Sequence, residues 1–335
     1  MRISKTSEPG VGFEYPPVKV TWNKRDLLLF AYSIGCTADE LHFLYEKHPK
    51  FQPFPTYPIV LSFKTESKDT TDFRAIENAL PSIPGVPHFS PLDVVDGSRS
   101  FKILKPLPLT SDELSGSSFS IHKTVLGVYD KGNSGSVLKV LHRLIDDTTG
   151  DVYVEIVVTS FYIGRGNWGG PRGPKNFEME IPNREPDAVE RIQTNKESSL
   201  LYRLNGDYNP LHAEPEQGKQ MGFGGVILHG LVSWNLSAHV ILKAWGGSDG
   251  MRMSEFEARF RKPVRPGDGL VVEMWKGEKV SEYGEGWWEV KFRTRKADGE
   301  VVLSGGRAVI KLVDDSEVEG EKITMEKQEA VKSRL

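Results

Sequence analysis

The sequence has a single cysteine, Cys36, among 335 residues. That excludes an internal disulfide and a cysteine-based zinc cluster, and it suits a reducing compartment. Long apolar runs are missing as well. None approaches the ~20 residues needed to span a bilayer, and the opening MRISKTSEPGVGFEYPP lacks the apolar core of a signal peptide. Charge of one sign is also missing: 43 Lys and Arg stand against 46 Asp and Glu, a formal net charge of -3. Neither nucleic acid nor an anionic membrane therefore has an electrostatic reason to be the main partner. No spaced cluster of metal ligands is present, so no metal or redox cofactor is expected. Gly164, Gly166 and Gly169 satisfy G-x-G-x-x-G, but Gly170-Pro171-Arg172-Gly173-Pro174 follows. No helix can start there to receive a pyrophosphate, which excludes a dinucleotide site.

What is there is an ordinary globular composition, 38% apolar and 10% aromatic, long enough for two domains. Glycine, proline and polar residues concentrate between 164 and 186. The organisation expected is a first repeat over 1–165, a linker over 166–186, a second repeat over 187–313 and a charged tail over 314–335. The two halves look like a diverged repeat. An ungapped offset of 171 residues lays Val18 on Val189, Leu29 on Leu200, Phe30 on Leu201 and Gly35 on Gly206. Asn23-x-x-Asp26 then falls on Thr194-x-x-Glu197, and both spacings suit the start of a helix, the second as a capping box. Gly35 and Gly206 sit where each helix would stop.

The second half is the more legible. ILHGLVSWNLSAHVILKAW, residues 227 to 245, is apolar on most faces and predicts a buried helix ended by Gly246-Gly247. Strands are expected at 253–260, 269–276, 287–295 and 301–313, because SEFEARF and WEVKFRTR alternate with period two. The first half predicts strands near 100–105, 119–129, 136–145 and 152–163. An antiparallel sheet wrapped around a helix, twice over, is the α+β architecture implied. Between the repeat helix and the buried helix lies LNGDYNPLH, 204 to 212. Alone it reads as a turn; followed by LHG at the start of a buried helix, it can also hold an acid and a base over a substrate.

YRLNGDYNPLHAEP followed by GGVILHGL closely resembles the signature of the R-specific type 2 enoyl-CoA hydratases of the MaoC-like dehydratase group. ELHFLYEKHPKFQPFPTYPIV, KPLPLTSDELSGSSFSIHKTVLGVYDKGNSGSVLKV and FEARFRKPVRPGDGLVVEMWK extend the likeness over about 15–313. The resemblance implies a double hotdog, two repeats each wrapping a sheet around a central helix, with no cofactor beyond the coenzyme A of an acyl-CoA thioester substrate. It implies that Asp207 and His212 share the water and proton transfers, that Asn209 assists, and that the Gly230 backbone N–H binds the thioester oxygen. Gly206, His229 and Glu46 are expected at the substrate-binding surface. His229 and Glu46, the latter on a family position once considered catalytic, are expected in supporting structural roles. His239 is expected inside the helix packing. Arg172, Lys175, Arg261, Lys262 and Arg265 are available to meet coenzyme A phosphates.

Asn205, Val232, Asn235 and His239 depart from the family pattern, and none of them is the acid, the base or the oxyanion donor. The offset sets Cys36, Ala38 and Leu41 against Asp207, Asn209 and His212, so only the second repeat is expected to be catalytic. The reading is a hydratase of peroxisomal β-oxidation, with a specialised-metabolite dehydratase or a non-catalytic acyl-CoA binder as alternatives. Ser333-Arg334-Leu335 differs from the peroxisomal address S-K-L only by Arg for Lys, which suggests recognition by the import receptor. A homodimer is expected.

Overall fold

Period-two alternation places one face of a strand against the interior, and the described residues form ten strands. The computed structural model describes residues 8–73, 81–90, 93–113, 116–174 and 179–313. The strands are β1 (Val18–Val20), β2 (Val94–Ile103), β3 (Phe119–Asp130), β4 (Gly135–Asp146), β5 (Val152–Ile163), β6 (Ala188–Gln193), β7 (Met253–Phe260), β8 (Gly269–Lys279), β9 (Trp287–Lys296) and β10 (Val301–Lys311). They form one antiparallel sheet in the order β1-β3-β4-β5-β2-β7-β10-β9-β8-β6. Each half runs first, third, fourth, fifth, second, so the two repeats have the same topology and meet edge to edge. The seam pairs β2 with β7, Phe101 opposite Phe256 and Ser98 opposite Arg259. Joining the repeats there covers an edge that each would otherwise expose.

The central helix, Gly230–Gly246, lies against β7, β8 and β10. Leu231, Val232, Trp234, Leu236, Ala238, Ile241 and Leu242 are all buried, as a helix apolar nearly all round requires. Gly247, at φ +60, ends it. The first repeat differs from the expectation. Among the described residues, it has no counterpart of this 17-residue helix. Its longest helix, Lys24–Ser33, has ten residues and matches the short helix Ser198–Tyr202 instead. Where a central helix would start stands a 3-10 turn, Tyr57–Val60, followed by one helical turn, Leu61–Lys64.

The start of the Lys24 helix is as expected: Asn23 Oδ1 accepts from the Asp26 N–H, and Asp26 Oδ2 accepts from the Asn23 N–H. The box expected at Thr194 and Glu197 does not form. Thr194 Oγ1 donates to the Asp268 carbonyl at 2.7 Å and accepts from the Gly267 N–H at 3.0 Å. Asn195 Oδ1 serves the Glu197 N–H instead, at 3.0 Å, so the helix opens later, at Ser198. β2 also starts earlier than its sequence suggests. Asp96-Gly97-Ser98 looks like a turn, yet neighbours on both sides draw it into the sheet through a bulge between Asp96 and Ser98. The expected linker is partly anchored: the Asp130 carboxylate accepts from the N–H groups of Asn167 and Gly169 at 2.8 and 2.9 Å. The expected Ser333-Arg334-Leu335 signal lies outside the described residues.

Candidate active site

LNGDYNPLH folds as a tight loop over the start of the central helix. Gly206 has φ +117, and a Cβ there would come 2.6 Å from the Lys64 backbone. Only glycine meets both conditions. Asp207 Oδ1 accepts from the Asn209 N–H at 3.2 Å, and Asn209 Oδ1 accepts from the Leu211 N–H at 3.0 Å, capping the single turn Pro210–His212. Asn209 is thereby engaged in holding the loop, and its pull on Asp207 is a backbone one.

His212 Nδ1 lies 3.0 Å from the Ile227 carbonyl. A carbonyl only accepts, so Nδ1 carries the proton and Nε2 keeps its lone pair. His229, the residue before the central helix, stacks on His212 with ring centroids 3.7 Å apart. Its Nε2 donates to the Asp207 carbonyl at 3.0 Å, while its buried Nδ1 has no partner. The Asp207 carboxylate and the two imidazoles each place one nitrogen or oxygen within 4.8 Å of the others. Burial pushes the Asp207 carboxyl up from its ordinary value, against the pull of His212 and the Asn209 N–H. Burial pushes His212 down, against Asp207 and the Ile227 carbonyl. His229 is pushed down further, by burial and then by His212. An acid and a base are thus driven toward each other in proton affinity, which favours proton transfers between them and a bound water.

Gly230 opens the central helix, where its N–H has no intrahelical partner and the positive dipole end faces outward. A Cβ at Gly230 would meet Phe260 at 3.0 Å and Asp96 Oδ2 at 3.1 Å. Asp96 comes from β2 of the other repeat and is paired with the buried Arg99. Neither was signalled by the sequence, because VVDGSRSF gives no register to the seam. Glu46 is not brought to this place: it lies on an exposed turn after the short helix Leu41–Leu44. The buried acid of that segment is Glu40.

Glu40 stands where the offset puts the first repeat's version of the loop. Both its oxygens contact His239 Nε2, at 2.9 and 2.8 Å, and Ser248 Oγ donates to it at 2.8 Å. Burial alone would raise Glu40; His239, Ser248 and the Thr37 N–H outweigh it and hold the carboxyl at about 2. Cys36, Glu40 and His239 also lie close enough to share an ion, but the imidazole and the carboxylate are already engaged with each other. The unusual residues of the second repeat serve this join. Asn205 donates to Ser33 Oγ at 3.0 Å, and Asn235 accepts from Thr56 Oγ1 at 2.6 Å while donating to the Tyr202 hydroxyl at 3.1 Å.

Of the basic residues, Arg172 donates to the Asp130 carbonyl, Arg265 donates to the Phe223 carbonyl, and Lys175 lies outside the described residues. A groove running past Gly206 and Tyr208 is lined by Arg25, Lys68, Asp26 and Asp69, and by Lys64, whose Nζ donates to the Thr21 and Ser67 carbonyls and pairs with Asp26.

Two fused hotdogs with one acid–base loop at the mouth of one central helix define a double-hotdog hydro-lyase. Residues 20–164 match the MFE-2 hydratase 2 N-terminal domain, and residues 178–291 match the MaoC like domain. The chain is 50% identical over 313 residues to a "Probable dehydratase NIT22" of Ajellomyces capsulatus, covering 90% of this chain and 82% of that one. It is 30% identical to "Enoyl-CoA hydratase 2, peroxisomal" of Arabidopsis thaliana, covering 78% of this chain and 84% of that one. Among solved structures, a MaoC-like dehydratase from Phytophthora capsici superposes with a TM-score of 0.74 at 31% identity, covering 92% of this chain and 97% of that one. The chain belongs to the MaoC-like dehydratase family and is a hydro-lyase.

Proposed function

We propose that the protein reversibly hydrates trans-2-enoyl-CoA to (3R)-3-hydroxyacyl-CoA in peroxisomal fatty acid β-oxidation, as a homodimer. The carrying observation is the Asp207 carboxylate and the His212 imidazole within 4.8 Å of each other at the start of the central helix. Water held between them adds its oxygen to Cβ as one of the pair accepts a proton, and the pair returns a proton to Cα. One O–H bond and the C=C π bond are lost; one C–O and one C–H bond form. Between the two events, negative charge on the thioester oxygen faces the Gly230 N–H. One such donor is typically worth about 10²–10³ in rate. Asn209 keeps the loop in shape, and His229 fixes the Asp207 backbone and the His212 ring plane. Arg25 and Lys68 in the groove past Gly206 give coenzyme A phosphates cations to meet.

The relative named a peroxisomal enoyl-CoA hydratase supports the compartment. The relative named a probable dehydratase favours a second reading: the reverse reaction, on an acyl-CoA of a specialised pathway, using the same atoms. Joint retention of Asp207 and His212 argues against a purely binding protein. Hydration of crotonyl-, octenoyl- and hexadecenoyl-coenzyme A with chiral analysis is the test, and a dominant (3R) alcohol is expected. A dominant (3S) product, or no turnover, rules the reading out. Sedimentation giving a monomer removes the dimer from it.

A further inference from the structure

On the inner face of the first repeat's sheet, the apolar rows of β3 and β4 are interrupted in the middle. Ile121 pairs with Leu144, and Val125 with Val140; between these two rows Lys123 stands directly opposite His142. Across the neighbouring strands that middle row continues as Ile156, Phe101 and Phe256. All point to the side where the second repeat has its central helix, and among the described residues no such helix covers this half. Lys123 and His142 therefore divide the apolar rows into separate clusters, one around Ile121 and Leu144 and the other around Val125 and Val140.

Among the described residues, neither Lys123 Nζ nor the His142 ring makes a hydrogen bond or an ion pair. The acids of this face are occupied elsewhere: Asp96 by Arg99, Asp130 by the N–H groups of Gly132, Asn167 and Gly169, and Asp146 by Ser117 Oγ and the Thr148 N–H. The Lys123 ammonium and the His142 imidazole are both half-buried. Burial pushes Lys123 below its ordinary value. It pushes His142 well below, with Lys123 and Arg99 adding to the effect. An uncompensated cation among valines and isoleucines is unfavourable unless an anion joins it. The row next to the pair runs Val125, Val140, Val158, Arg99, Ala258, so the face leads back to Arg99 and to Asp96 beside Gly230. With strands about 4.8 Å apart, Lys123 and His142 lie roughly 10–14 Å across the sheet from Arg99.

We infer that the acyl pocket of the first repeat selects acyl groups that end in an anion, a carboxylate above all, held between Lys123 and His142. This rests on the proposed hydratase reading and deepens it, replacing a plain hydrocarbon tail with an acid-ended one. The fit is chemical: the thioester carbonyl meets Gly230, apolar methylenes follow the row of the partly buried Val158, and the tail anion meets the Lys123 ammonium and the His142 N–H.

The test compares trans-2-enoyl-coenzyme A esters of equal length ending in a methyl or a carboxylate, on the full-length protein. The wild-type chain should favour the acid-ended ester in kcat/KM by at least about tenfold, the scale of one charge-assisted hydrogen bond. Lys123→Met should lose that preference and leave methyl-ended turnover unchanged or raised, and Lys123→Arg should keep it. Wild-type preference for the methyl-ended ester overturns the inference and needs no variant. So does a preference that survives Lys123→Met. If neither ester is hydrated, the hydratase reading fails, and calorimetry with the saturated pair of acyl-coenzyme A esters then decides the pocket alone. Tighter binding of the acid-ended ester by about tenfold supports the inference, and equal affinity overturns it.

Discussion

At the scale of single residues, the site uses burial to work against ordinary ionisation. Asp207 is pushed up and His212 down, and each opposes the other's shift. Asp207→Ala and His212→Ala should each lower kcat by roughly 10²–10⁴, the usual worth of a positioned acid or base. Circular dichroism should stay unchanged, and near-wild-type turnover in either variant would remove it from the chemistry. The pH dependence follows from the same shift. His212 has a folded value below its ordinary 6.5, so its lone pair survives to lower pH than an exposed imidazole's. The acid limb of kcat/KM should therefore have its midpoint below pH 6.5, and a midpoint above it would contradict the burial argument. Asp207, Asn209, His212 and Gly230 were legible as a motif because they sit within one continuous stretch and its adjoining helix. Asp96, Arg99 and Glu40 were not, because they come from the other repeat and reach their partners only through sheet register and helix packing.

Among elements, the loop over the helix start depends on a single backbone condition. Gly206→Ala would place a side chain at φ +117 and set its Cβ 2.6 Å from the Lys64 backbone. The expected cost is about 1–3 kcal/mol of strain, read as a lower denaturant midpoint with an unchanged slope, together with reduced turnover as Asp207 shifts. Wild-type stability in this variant would mean that the loop tolerates another course. The first helix cap was readable from Asn23 and Asp26, because both partners are local. The second misled, because Thr194 finds the Asp268 carbonyl 74 residues away. A capping spacing records what a segment can do alone, and a nearby strand end can offer its hydroxyl a competing partner.

As a whole molecule, the chain is one sheet rather than two domains joined by a tether. The seam at β2 and β7 lies mid-sheet, and Phe101 of the first repeat packs edge-on to Trp234 of the second, centroids 6.2 Å apart. Residues 175 to 335 expressed alone should be poorly soluble, since β7 would present an unpaired edge and Phe256 would lose the strand residue opposite it. Light scattering and size exclusion check this, and a monodisperse, fully active second half would contradict it.

By itself the sequence determined four of the five strands of the second half, its buried helix, the glycine stops, the repeat and the loop that carries Asp207 and His212. Each of these rests on periodicity or on contacts within a few residues, which a linear string displays. Only the tertiary structure decided that the first repeat lacks a long central helix among its described residues. The same holds for the engagement of Glu40 with His239 and for the isolation of Lys123 and His142 on an apolar inner face. Those facts depend on which strand lies beside which and which face turns inward. In β3 and β4, one basic residue on each inner face is too slight a break in the alternation to announce itself. The pairing of Lys123 with His142 becomes a property of the protein only when register sets the two strands side by side.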